Sequence, residues 1–450
     1  MDLVFAAPPP PATGLRAAID EANRRDEAAA DALNLAAAAL PAPANRRIAA
    51  TARRLVEQLR ENAASHGGID AFLHEYRLST PEGVALMCLA EALLRIPDSE
   101  TIDRLIRDKI AAADWQSHLG RSGSLFVNAS TWALMLTGRL LREQPGEHDL
   151  GAVLHRLLAR SGEPVVRQAV LAAMRILGRQ FVMGRTIGEA LDRARPAERE
   201  GYRHSYDMLG EAAKTATDAE RYHRAYAEAI AAIGAAARGA AGLTAIEAAP
   251  GISVKLSALH PRYEPAQRER VMRELLPRLA DLAGHARDAG IGFTVDAEEA
   301  DRLDLSLDLF EALARMSGLA GWDGLGLAVQ AYQKRAPAVI DWLADLARRA
   351  RRRLMVRLVK GAYWDSEVKR AQERGLATYP VYTRKIATDV SYLACARALF
   401  AAEGAFYPQF ATHNAHTLAA VLELAGARKD WEFQRLHGMG EALYQSVVGP

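Results

Sequence analysis

The sequence predicts an α/β protein whose C-terminal part is a parallel barrel of strand-then-helix units, preceded by an all-α region. Three observations carry this reading. From Pro250 onward, short β-rich runs alternate with amphipathic helical stretches at intervals of about 30 to 50 residues, the rhythm of a parallel sheet with crossover helices. Between Arg46 and Gly178 the apolar residues recur at helical spacing instead, with breaks at Gly67-Gly68, Pro81, Pro97 and Pro145-Gly146. Polar side chains also recur at or near the carboxyl end of nearly every strand-like run, and a barrel gathers such ends around one mouth.

The elements follow in order. Residues 1–45 form an arm rich in Ala and Pro, in which PPPPATG and LPAPANRR frame one Ala-rich helix from Leu15 to Leu40. Residues 46–185 form an α-helical domain, with RRIAATARRLVEQL and EGVALMCLAEALLRI as its clearest amphipathic stretches. Residues 186–249 are a helical linker: a charged helix from Ile187 to Gly201, then YRHSYDMLGEAAKTA. Asp207 and Glu211 in that segment stand at helical i,i+4 spacing, where like charges destabilise by a few tenths of a kcal/mol. An exposed helix face explains them, as does an acidic face that meets arginines elsewhere.

Residues 250–450 hold six units. Their strands are ISVKLSAL, IGFTVDAEE, GLGLAVQAY, LMVRLVKGAY, YPQFATHN and WEFQRLHG. Helices run from Pro265 to Ala289, Asp301 to Ser317, Pro337 to Ala350, onward to Glu403, from His416 to Ala425 and from Met439 to Ser446. A doubly wound open sheet has the same rhythm but spreads its polar strand ends along an edge. The barrel is therefore preferred. A closed barrel needs eight units, so the expectation is a barrel truncated after about six.

Composition narrows the function classes. Half of the 450 residues are apolar and a quarter charged, as in a soluble globular protein with a large core. A net charge of +2 gives no global field for nucleic acid or an anionic membrane. Cys88 and Cys395 stand far apart, which disfavours a disulfide scaffold and suits a reducing cytoplasm. No window approaches the roughly 18 consecutive apolar residues of a membrane span, and MDLVFAAPPPPATG lacks the basic start of a signal peptide. RRARRR, Arg348 to Arg353, reads as a solvated helix C-terminus without the interleaved aromatics that stack on bases. No nucleic-acid partner is expected.

The strand ends carry the candidate chemistry: Lys255, Asp296, Gln330, Arg357 with Lys360, Thr412 with His413, and Gln434 with His437. In LMVRLVKGAYWD, Arg357 lies within an apolar strand and Lys360 at its end, and an unpaired cation there costs several kcal/mol. Both suit a phosphate-bearing or electron-rich cofactor over the mouth; ion pairs at a sheet rim are the plainer alternative. Gly361 and Ala362 let a ligand approach the backbone. Asp296 follows the apolar run GFTV and needs a cation, which Lys255 can supply, whereas Glu298 and Glu299 suit a helix N-terminus. His413 and His416 invite a zinc hypothesis, yet spacing supplies neither a third ligand nor supporting partners, so no metal is expected. GLGLA and GMGEAL do not complete a dinucleotide fingerprint.

VKLSALHPRY, VDAEEADRL, VQAYQKRA, MVRLVKGAYWDSEVKRAQ, YPVYTRK, YPQFATHNAHT and FQRLHGMGEALY, in that order, closely resemble the proline dehydrogenase domain of the bacterial bifunctional proline utilization A flavoenzymes. The resemblance runs from about residue 45 to 446 and includes YDMLGEAA. It implies a distorted (β/α)8, TIM-like barrel that holds FAD and oxidises L-proline to Δ1-pyrroline-5-carboxylate. It implies cofactor contacts from Gln330, Arg357, Lys360, Gly361, Ala362, Trp364, Thr412, His413 and Gln434, with Arg357 near the flavin N5. Around proline it implies Lys255, which meets the carboxylate, with Asp296, Tyr363 and Leu436. Arg357, Lys255 and Asp296 are the catalytic candidates, while Asp207 and Glu211 stand at the entrance, Glu211 pairing with an arginine of a late helix.

The implied reaction moves a hydride from proline C5 to flavin N5, so the protein places the ring and tunes charge while the flavin carries the redox chemistry. Further implications are a C-terminal aldehyde dehydrogenase domain that continues to L-glutamate, a quinone as electron acceptor, peripheral contact with the inner face of the cytoplasmic membrane, and a homo-oligomer in the cytoplasm. The family's two adjacent carboxylate-binding arginines, and further FAD contacts, come from a helix that these residues are expected to stop short of. No ribbon-helix-helix pattern opens the chain, which disfavours the DNA-binding version. The competing reading is a catalytically idle barrel scaffold that needs its C-terminal part or a partner.

Overall fold

The computed structural model describes residues 12–63, 182–238 and 245–448. They fall into two units, one of residues up to Leu55 with Gly184–Arg435, the other of Val56–Met183 with Leu436–Gly449. Most of the expected helical domain, 46–185, lies outside the described residues. The helices are α1 Gly14–Arg24, α2 Glu27–Ala38, α3 Ala42–Ala63, α4 Ile187–Arg199, α5 Ala216–Arg238, α6 Leu256–Leu259, α7 Arg268–Ala289, α8 Leu303–Ala314, α9 Ala336–Ala350, α10 Trp364–Glu373, α11 Lys385–Ala401, α12 Ala415–Ala425 and α13 Glu441–Gln445.

Within the larger unit the strands are β1 Ser205–Asp207, β2 Gly251–Val254, β3 Gly292–Val295, β4 Leu325–Gln330, β5 Leu354–Val359, β6 Phe406–Ala411 and β7 Glu432–Gln434. They form one sheet of seven strands in the order β1-β2-β3-β4-β5-β6-β7, and every pairing is parallel. This bears out the parallel barrel-type fold. The count differs from six because β1 lies in the stretch read as a helical linker. Its three residues give one turn of alternation, with Tyr206 only 6% exposed, and so short a period is hidden in sequence. Gly210 at φ 110 and Ala212 at φ 56 then break any helix. Asp207 and Glu211 accordingly share no helix face: Asp207 ends β1 and Glu211 sits in the loop after it.

Alternation along each strand separates two environments. One face carries Ile252, Val254, Phe293, Val295, Leu325, Leu327, Leu354, Val356, Leu358 and Phe410, all fully buried or nearly so. Helices cover it, α7 against β3, α9 against β4, and α11 against β5 and β6. Each such side chain contributes roughly 1.5–3 kcal/mol on burial. The other face carries Ser253, Thr294, Gln330 and Gln409, buried but polar. An apolar outer face facing helices and a polar inner face is the pattern that leaves an interior able to hold a ligand.

The arm holds two helices where the sequence suggests one. Asp26 accepts hydrogen bonds from the backbone of Ala28 at 2.9 Å and Ala29 at 3.2 Å, which caps α2 and ends α1 at Arg24. α1 packs on α9 and α2 on α11. Polar contacts fix them: Arg16 to Asp308 at 3.1 Å, Asn34 Nδ2 to the Tyr382 hydroxyl at 2.6 Å, and Thr383 to Glu27.

Candidate active site

Strand register places the candidate residues on one face. Ser205 is level with Gly251 and Asp207 with Ser253; Ser253 is level with Thr294, Ala328 with Arg357, Arg357 with Gln409, and Gln409 with Glu432. Continuing two residues up each strand brings Lys255, Asp296, Gln330 and Gln434 to the carboxyl end of that face. Below them Gly326 lies so close to its neighbours that a Cβ would stand 2.8 Å from the Met355 carbonyl and 3.1 Å from Thr294 Oγ1. The interior is therefore packed at that level.

Arg357 occupies the centre. Its Nε donates to Gln434 Oε1 at 2.6 Å, Nη1 to Ser253 Oγ at 2.7 Å and to Asp296 Oδ1 at 2.9 Å, and Nη2 to Ser205 Oγ at 2.9 Å. Four strands other than its own thus hold one guanidinium. The cation that looked anomalous in an apolar strand has four acceptors, one of them anionic, which is what makes its burial tolerable.

Lys255 sits beside it. Its Nζ lies 2.8 Å from both Asp207 carboxylate oxygens, 3.5 Å from Asp296 Oδ2 and 4.0 Å from Glu211 Oε2. Burial opposes its charge, but Asp296 and Asp207 outweigh it and hold the ammonium pKa above its usual value. Burial raises the Asp296 carboxyl, against the pull of Arg357 and Lys255. The expected Lys255–Asp296 pairing is present, joined by Asp207, Glu211 and Arg357.

The loop after β5 supplies the next group. Lys360 Nζ contacts Asp389 Oδ1 at 2.6 Å and Thr417 Oγ1 at 3.1 Å, and burial lowers its pKa despite Asp389. Gly361 has φ 136, and a Cβ there would land on the ring of Tyr332. Gly361 and Ala362 are exposed, and Tyr363 precedes α10 with its hydroxyl pKa raised, by burial first and then by Glu211. Trp364 opens α10, is 42% exposed, and donates through Nε1 to the Tyr382 carbonyl at 2.9 Å. At neighbouring strand ends, Gln330 Oε1 accepts from Gln333 Nε2 at 2.7 Å, Thr412 Oγ1 accepts from the Asn414 backbone, and burial holds the His413 pKa below its usual value.

Leu436, 63% exposed, and His437 belong to the smaller unit, whereas the other predicted site residues belong to the larger one. Among the described residues no group of three metal-capable side chains occurs. Sequence reading missed Ser205, Ser253 and Glu432. Each lies two residues before a predicted site residue on the same strand, so a period-two extension of the pattern finds them.

Comparison with known proteins places this geometry. The family model described as proline dehydrogenase matches residues 190–450, and one described as the proline utilization A proline dehydrogenase N-terminal domain matches 13–60. A third, described as the DNA-binding domain of proline dehydrogenase, matches 68–181, outside the described residues, and it stands against the expectation of no nucleic-acid partner. The chain is 57% identical over 453 residues to a bifunctional protein PutA of Klebsiella aerogenes and 56% to that of Escherichia coli, covering 99% of this chain and 34% of each relative. It thus spans about a third of the length of these relatives. A crystal structure of Bradyrhizobium japonicum proline utilization A, mutant D778Y, superposes with a TM-score of 0.71 at 50% identity, over 98% of this chain and 43% of that one.

Proposed function

Because the chain belongs to the proline dehydrogenase family, we propose that it is the FAD-dependent, L-proline-oxidising part of a bifunctional proline utilization A protein. The observation that carries the proposal is the Arg357 guanidinium at the centre of the barrel mouth, held by four strands, with the Lys255 ammonium beside it.

The residues present fit a flavin nucleotide. Exposed backbone at Gly361 and Ala362 allows close approach, Trp364 offers an exposed ring, and Arg357, Lys360 and His413 supply donors at adjoining strand ends. Gln330, Thr412 and Gln434 add neutral polar groups. When bound, FAD supplies the acceptor for the hydride that leaves proline C5.

The chain's own residues do the rest. Lys255 stays protonated through Asp296 and Asp207, so it presents a fixed positive charge to the proline carboxylate. Asp296 and Tyr363 line the pocket next to it, and Glu211 closes the entrance side at 4.0 Å from Lys255. Arg357, preorganised by its four acceptors, offers positive charge where negative charge develops. The substrate amine gives up its proton to water, since the carboxylates of this cluster are engaged with Lys255 and Arg357.

The same reading includes a following aldehyde dehydrogenase domain that completes the conversion to L-glutamate, a quinone acceptor reached by peripheral membrane contact, and a cytoplasmic homo-oligomer. Among the described residues no helix is long and apolar enough to cross a membrane. The test is an anaerobic absorbance spectrum of the purified protein with and without L-proline. Flavin bands that bleach on addition of proline are expected; a preparation without flavin, or flavin that proline leaves oxidised, overturns the proposal in favour of an idle scaffold.

A further inference from the structure

A half-buried carboxylate with no part in the reading above lies directly beneath Gln434. Glu432 faces the barrel interior on β7, level with Gln409. Its Oε1 accepts from Gln434 Nε2 at 2.8 Å and from Gln409 Nε2 at 2.8 Å, and the Tyr407 hydroxyl lies 3.4 Å from its Oε2. Three donors on two strands converge on it. The arrangement leaves Gln409 Oε1 buried without a partner, so the two amides are turned toward the carboxylate even where that strands an acceptor.

We propose that Glu432 is a positioning residue: through Oε1, which accepts from two amides, it fixes the polarity of the Gln434 amide and thereby anchors Arg357. With Nε2 of Gln434 committed to Glu432, its Oε1 must face Arg357 Nε, where it accepts at 2.6 Å. A flipped amide sets an NH2 against the Arg357 N–H, two donors face to face. Glutamine at 432 removes the constraint, because its own NH2 can donate to Gln434 Oε1 and so turn the amide around. The step to flavin chemistry rests on the proline dehydrogenase reading; the hydrogen-bond polarity does not.

The experiment compares wild-type full-length protein, Glu432→Gln, and the conservative variant Glu432→Asp, which keeps a carboxyl group facing the Gln434 amide. For each, the bound-flavin spectrum and midpoint potential are recorded, and then the rate and KM of anaerobic reduction by L-proline. In Glu432→Gln the potential shifts and reduction slows by about tenfold or more, the worth of one hydrogen bond to a charged group. KM for proline stays put, because Lys255 and Asp296 are untouched, and Glu432→Asp keeps both readouts nearer wild type than Glu432→Gln does. An unchanged potential and rate in Glu432→Gln overturns the inference. Should that variant fail to fold, Glu432→Asp decides, a wild-type-like potential supporting the inference and a shifted one overturning it. A wild-type protein that lacks flavin sinks the parent reading instead, so the two failures are distinguishable.

Discussion

Arg357 on β5 and Asp296 at the end of β3 meet at 2.9 Å across the intervening strand β4. They can do so because β4 presents only Gly326 and Ala328 to the interior below Gln330, and Ala328 is the residue level with Arg357. A small side chain on one strand is thus the condition for an ion pair between its two neighbours. Replacing Arg357 with methionine leaves Asp296 to Lys255 alone and is expected to cost about 3–5 kcal/mol of stability, since one member of a buried pair is lost. Reduction of bound flavin by proline should also fall by about a hundredfold or more. Rapid-mixing absorbance at wild-type speed would count against the assignment.

Ala328→Leu tests the same relationship from the other side. The added atoms fill the lane that the guanidinium crosses, so the cost is overpacking of about 1–3 kcal/mol together with displacement of Arg357. Thermal unfolding reports the first effect and the flavin spectrum the second. Ala328→Ser, which nearly keeps the volume, should leave the flavin spectrum unaltered.

At Gly361, φ 136 lies outside what residues with a Cβ ordinarily adopt, and the Cβ would strike Tyr332. Gly361→Ala is expected to lose about 1–3 kcal/mol from the backbone term. It should also release flavin, seen as a fall in the ratio of visible to ultraviolet absorbance after gel filtration. The double variant with Tyr332→Ala should recover part of the stability, the steric part, but not the part set by φ.

Acid stability has an identifiable contributor next to the Lys255 segment. Glu274 meets His260 at 3.2 Å and Arg270 at 3.0 Å, and these partners, His260 first, hold its carboxyl down at about 2. A depressed carboxylate gives stability that is complete above its unfolded value of about 4.3 and is lost as pH falls toward about 2. Glu274→Gln should therefore flatten the acid limb of the Tm profile and converge with wild type near the lower end. Parallel acid limbs in the two proteins would remove Glu274 from the account.

Much of this site was legible because a parallel barrel puts its chemistry at strand ends, where an apolar run gives way to a polar residue. Lys255, Asp296, Gln330, Arg357 and Gln434 were found by that single rule. What escaped it lay one layer deeper. Ser205 stands in the stretch read as a helical linker, and nothing in sequence singles out Ser253 or Glu432, because their roles depend on Arg357 reaching down from a strand that is remote in sequence. β1 escaped for a different reason: three residues cannot display a period, and its neighbour YDMLGEAAK mimics helical spacing until Gly210 and Ala212 are seen at positive φ. Roles within the cofactor and proline contacts came from family resemblance, which spacing alone did not supply.

The chain-order pairing of the sheet and the long reach of the arm have opposite kinetic meanings during synthesis. Each strand lies beside the one that left the ribosome just before it, so the sheet can grow by addition, with no partner to await. The arm is made first yet binds last: Arg16 reaches Asp308 across 292 positions, Asn34 reaches Tyr382 across 348, and Arg397 caps the end of α2 across 360. At roughly 5–20 residues per second, these helices wait on the order of 15 to 70 seconds for their surface to exist. During that interval their apolar stripes, Ile19 and Ala22 on α1 and Ala30 on α2, face solvent or a chaperone, and their later burial marks a finished outer wall.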